Sequence, residues 1–226
     1  CALPIWIAHS GHPLATDKPS FGAWLTYGLG SLNQNLPAFV VLPDPGGLPI
    51  NGTLNWSAGW LPAQHPGTAF NAGDLTTAPV LNLRTPGRVP APARRRQLDF
   101  LQQLNAEQQR RFPENTDLEA RLNDFETAAR MQMAVPSAVD LTGETEATRQ
   151  LYGMDQPAPA PYGTRCLLAR RLLEQGVRFV GVYLKGQPWD THSDNANATK
   201  GVAAQLDQPS AALVKDLKQR GLLDST

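Results

Sequence analysis

The chain has 226 residues, 41% of them hydrophobic, with 20 Lys+Arg against 20 Asp+Glu. That is enough for one domain with a sizeable core, and the balanced charge removes the bias that draws a protein to nucleic acid or to an acidic membrane surface. The longest apolar stretches, such as Val177 to Leu184, fall far short of the roughly twenty residues a membrane-spanning helix needs.

In chain order, residues 1–6 read like the translated end of a sequencing adapter and are expected to be non-native, which leaves Cys1 without chemistry. Phe21 to Leu29 is a short aromatic and apolar run that Ser20 can cap as a helix. Ala38 to Leu42 reads as a buried strand stopped by Pro43-Asp-Pro-Gly-Gly. From Gly46 to about Pro92 the chain is rich in turns, with Trp56, Trp60 and Phe70 among Gly, Pro and Asn, and it is expected to be a long covering loop.

Helical spacing then takes over. Arg94 to Phe112 carries Leu98, Leu101 and Leu104 on one face, and Asp117 to Met133 carries Leu118, Leu122, Phe125, Ala129 and Met133. With Pro113 to Thr116 between them, they form an expected helical hairpin that packs as a separate layer or cap. Arg94 to Arg96 reads as a solvated helix face. After a connector around Glu144 to Leu151 and a Pro-Ala linker from Gln156 to Pro161, Tyr162 to Gln175 is a third amphipathic helix, with Gly176 placed to end it. Cys166 lies in its apolar pattern as a small buried side chain. Val177 to Leu184 is almost continuously apolar, as a strand covered on both faces of a parallel sheet should be. With a last helix at Asp207 to Arg220, residues 162–226 make an α/β/α unit, so the fold class is α/β.

Ligands of open parallel sheets bind outside the carboxyl ends of the strands, and Lys185 to Asn195 lies directly after the best strand. Asp190 and His192 are two residues apart, so on extended backbone they project to one side. A carboxylate and an imidazole can bind a divalent ion, although two ligands make half of a tetrahedral shell. His9, His12 and His65 fall in an N-terminal stretch and a loop where a solvent-facing imidazole is the ordinary case. P-loop, paired CxxC, GxSxG and GxGxxG patterns do not occur, which leaves nucleotide binding, zinc ribbons and a serine-hydrolase elbow without support.

Six blocks carry a resemblance. They are Pro19 to Ser31, Asn35 to Leu42, Arg165 to Arg171, Gly176 to Val180, Trp189-Asp-Thr-His192, and Leu213 to Asp224. In this order they resemble the domain-of-unknown-function 1501 family over nearly the whole chain. That family is similar to alkaline phosphatases and sulfatases, and its members are exported, many with twin-arginine signals. The resemblance implies an alkaline-phosphatase-like α/β/α sandwich with a mainly parallel sheet and a helical hairpin insertion at 94–133. It also implies Asp190 and His192 as metal ligands for zinc, calcium, magnesium or manganese. Ser193 departs from the glycine common in the family after that histidine. The acidic N-terminal segment and the later acidic and histidine motifs of the family have no counterpart here, so residues 1–226 are expected to be an internal part of a larger domain without turnover of its own. The expected function is hydrolysis of sulfate or phosphate esters of a small molecule or glycan, with no nucleic-acid partner. The alternative is a non-catalytic exported protein that stacks a glycan on its Trp-rich loop, Asn55 to Trp60.

Overall fold

The computed structural model describes residues 10–11, 17–73, 80, 90–112 and 116–225. Residues 1–6, His9, His12, part of the long loop, the 113–115 turn, and the side chains of Arg94, Leu98, Leu118, Leu122, Phe125 and Met133 lie outside the described residues. Six α-helices occur among the described residues: α1 Phe21–Leu29, α2 Ala91–Arg111, α3 Thr116–Val139, α4 Glu146–Leu151, α5 Ala160–Glu174 and α6 Asn195–Gln219. Three strands, β1 Phe39–Leu42, β2 Thr68–Ala69 and β3 Phe179–Val182, form a parallel sheet in the order β2-β1-β3. This is a mixed α/β architecture. None of these helices is long and apolar enough to cross a membrane.

Local chemistry explains several boundaries. Ser20 caps α1 by accepting a hydrogen bond from Ala23 N–H at 3.3 Å, and Gly30, at φ 65°, ends it. Helix α5 ends in a Schellman arrangement. Gly176, at φ 81°, donates to Leu173 O and Val177 donates to Leu172 O. Those two bonds turn the chain directly into β3.

β1 is buried along its length, and alternation sends its side chains to two faces. Val40 and Leu42 enter the main core with Met131 and Val135 of α3 and Leu168 and Leu172 of α5. Phe39 and Val41 join Trp56 and Tyr183 on the other face, where α1 also packs. Gly22 permits that approach, because a Cβ there would lie 2.6 Å from the rings of both Phe39 and Phe179. In register, Phe39 pairs with Phe179 and Leu42 with Val182, while Val40 pairs with Thr68.

The differences from expectation have physical reasons. The loop from Gly46 contains a 3-10 turn, Gly52–Trp56, and the two-residue β2, which is too short to show alternation. Helices α2 and α3 touch. Helix α3 continues through Pro136 to Val139, and its last turns enter the core. Leu101 and Leu104 of α2, expected inward, are exposed. The connector forms α4, capped by Thr145. Helix α6 begins twelve residues before Asp207 because an Ala-containing, mostly exposed stretch is helical ahead of Pro209. β3 is shorter than Val177 to Leu184 and only partly buried, as the edge strand of the described sheet.

Candidate functional site

Because the strands are parallel, their carboxyl ends share one end of the sheet. Pro43 to Gly47, Phe70 to Gly73 and Tyr183 to Asp194 leave from there. Arg165 of α5, 1% exposed, ties two of these segments together. Its Nη2 donates to Asp44 Oδ2 at 2.9 Å, its Nη1 donates to Tyr183 O, and its Nε donates to Pro161 O at 3.1 Å. The other Asp44 oxygen accepts from Gly46 N–H at 2.8 Å. The Tyr162 ring covers the guanidinium, 5.3 Å from its centroid to Cζ. Burial pushes the Tyr183 hydroxyl pKa well above its ordinary value. It therefore stays protonated and donates to Asn55 O at 3.3 Å.

Beyond Tyr183 the chain is held to the β1 loop. Gly186 N–H donates to Leu48 O at 2.9 Å, and Ile50 N–H donates to Gly186 O at 3.1 Å. Lys185 lies across Gly47, where a Cβ would come within 3.3 Å of its methylenes. Asp190 N–H then donates to Gln187 O at 3.0 Å. The loop closes at Asp194, which has φ 47° and whose carboxylate accepts from Asn197 Nδ2 at 3.0 and 2.9 Å.

Asp190 and His192 do project together. Asp190 Oδ2 and His192 Nε2 stand 3.3 Å apart, with the imidazole 88% and the carboxylate 26% exposed. Two donors each about 2.0–2.2 Å from a tetrahedral ion are about 3.3–3.6 Å from one another. The pair therefore fits one edge of such a shell, and the same separation also suits a simple ion pair. Among the described residues no group of three or more His, Cys, Asp or Glu could hold a metal ion.

Other expected site residues are arranged differently. Trp189, next to the pair in sequence, is 52% exposed. In the Trp-rich loop, Trp56 is core, 5.2 Å from the Tyr183 ring, and only Trp60 faces solvent. His65 is half-buried rather than solvent-facing, with its ring edge-to-face against Tyr27 at 5.4 Å. Arg95 pairs with Asp99 one turn along α2 at 3.1 Å, both exposed, as a solvated face does. Sequence reasoning missed Asp44 and Arg165. Their only signal is an arginine placed among the inward positions of an apolar helix.

No curated protein and no solved structure is detectably similar to the chain. The family described as Protein of unknown function (DUF1501) matches residues 5–226. Because that match covers nearly all of its length, the chain belongs to the DUF1501 family.

Proposed function

We propose that the chain is part of an exported, metal-dependent hydrolase of sulfate or phosphate esters, built on an alkaline-phosphatase-like α/β/α sandwich, with Asp190 and His192 as two ligands of a divalent ion. The observation that carries this reading is the 3.3 Å approach of the carboxylate and the imidazole in the loop that leaves β3. A carboxylate with an imidazole suits zinc or manganese, and calcium or magnesium would add oxygen ligands. When bound, the ion would polarise an ester oxygen and lower the pKa of a nucleophile. The chain's own contribution is positional. Arg165 holds Asp44 and Tyr183 O in fixed relation, and the Leu48–Gly186–Ile50 hydrogen bonds hold the start of the ligand loop. A small-molecule or glycan ester is the proposed substrate.

Metal content after dialysis against zinc or manganese, measured with the thermal midpoint on the same samples, tests the ligand assignment. His192→Ala and Asp190→Asn should each lose bound metal while the apo midpoint stays close to wild type. Unchanged metal stoichiometry in both variants would sink the assignment. With two ligands in hand, residues 1–226 should show no ester turnover, and chelator-sensitive hydrolysis by this chain would overturn that part of the proposal.

A further inference from the structure

At the amino ends of β1 and β2, opposite the Asp190 loop, four rings form a continuous row. Trp60 meets Trp24 edge-to-face at 5.1 Å, Trp24 meets Tyr27 at 6.1 Å, and Tyr27 meets His65 at 5.4 Å. Trp60, Trp24 and Tyr27 are 59%, 43% and 52% exposed. The row ends in a cleft of about 360 Å³ whose walls include Gln34, Gln64, His65, Thr127 and Arg130. That volume lies within the roughly 300–1,000 Å³ of small-molecule sites.

Three properties narrow the ligand. Exposed Trp and Tyr rings offer flat apolar faces, as the C–H face of a sugar ring requires. Next to them, side-chain amides and a hydroxyl supply both donors and acceptors, which suits a ligand bearing many hydroxyls. Charge is sparse, because Arg130 is the one Lys or Arg and no Asp or Glu lines the cleft among the described residues. Burial holds the His65 pKa below its ordinary 6.5, so that wall is neutral near pH 7. A nucleic-acid strand would call for a basic track along the rings, and a flat protein interface would not call for a polar concavity beside them.

We infer that the Trp60–Trp24–Tyr27 row and the adjoining cleft form a saccharide-binding site for an uncharged glycan chain, separate from the Asp190–His192 pair. The sheet lies between the two, and its four-residue strand β1 is about 13 Å long. This site is independent of any metal, so its failure and that of the hydrolase reading are distinguishable.

Isothermal titration of the 226-residue chain with cellohexaose, xylohexaose, laminarihexaose and chitohexaose tests it. At least one should bind at low millimolar concentration and perturb tryptophan fluorescence. Trp60→Ala and Trp24→Ala should each weaken that binding by about tenfold or more, while Asp190→Asn and the distant Phe100→Ala leave it unchanged. Trp60 is exposed enough that its loss should not unfold the chain, and circular dichroism of the variant checks this. The inference is overturned if none of the four sugars binds or if Trp60→Ala binds as well as wild type. It is equally overturned if what Trp60→Ala abolishes is oligothymidylate binding or self-association instead.

Discussion

A Cβ added at Gly163 would lie 2.1 Å from Tyr152 O and 3.6 Å from Pro209 Cγ. The glycine therefore sets how closely α5 approaches the end of α4. Gly163→Ala should lower stability by about 1–3 kcal/mol, read as a lowered urea midpoint, even though alanine is the better helix former. Nothing local announces this role, because the oxygen that excludes a side chain belongs to a residue eleven positions earlier. Arg165 is similarly opaque, since its partners Asp44 and Tyr183 O are 121 and 18 residues away. Its replacement by methionine should cost about 3 kcal/mol by leaving Asp44 without its cation, with ordinary denaturant unfolding as the measurement. The approach of Asp190 to His192 was legible for the opposite reason. Their spacing of two and their place after an apolar strand are properties of a single short segment.

Among the elements, those closed by their own residues were read well. Ser20 and Gly30 bound α1, and Gly176 turns α5 into β3. Helices whose extent depends on distant packing were read less well. Helix α3 runs past the expected end at Met133 through Pro136 to Val139, and α6 starts well ahead of the expected Asp207. Pro209 is buried in α6, where its ring faces Gly163. Helix α2 shows the limit of periodicity as a guide to burial. Its Leu104 is 50% exposed, while Leu172 of α5 is fully buried. Leu104→Ala should therefore change stability by less than about 0.5 kcal/mol and Leu172→Ala by about 2–5 kcal/mol, a contrast that thermal or urea unfolding resolves directly.

Across the whole molecule, a buried ionic network joins the segment before α4 to α5 and α6. Arg170, 2% exposed, reaches Glu144 and Glu174 at 2.7 Å each. Its Nε lies 3.1 Å from Asp216 Oδ2, a charge contact rather than an aligned hydrogen bond. Arg171 takes the second Glu144 oxygen at 2.8 Å, and Arg220 bridges Asp216 and Glu174 at 2.7 Å. Tyr152 OH donates to Asp216 Oδ2 at 3.0 Å. Burial pushes the Glu144 pKa up, but Arg171 and Arg170 outweigh it and hold the carboxyl below its usual 4.5. A carboxyl with a depressed folded pKa contributes stability above its unfolded value, and that contribution is lost as pH falls through the folded value. The urea midpoint should thus be nearly level from pH 7 to about 5 and fall below pH 4.5. Glu144→Gln should be about 3 kcal/mol less stable at neutral pH, and its deficit should shrink as the medium is acidified. The i,i+4 pairs Arg170–Glu174 and Asp216–Arg220 were readable from spacing alone. Their joining through Glu144 was not, because it depends on where the fold brings three separate segments.

Cys166 sits beside that network at 1% exposure, and burial raises its thiol pKa to about 12. At pH 8 it is therefore neither reachable nor appreciably ionised while α5 is docked, and alkylation requires the thiolate. The side chain is a built-in clock for opening of the molecule. In a Cys1→Ser background, the rate of iodoacetamide incorporation at Cys166, followed by intact mass, should report how often α5 leaves its seat. It should accelerate in Gly163→Ala and Glu144→Gln but not in Leu104→Ala, which separates loosening of α5 from its neighbours from changes on the outer helix.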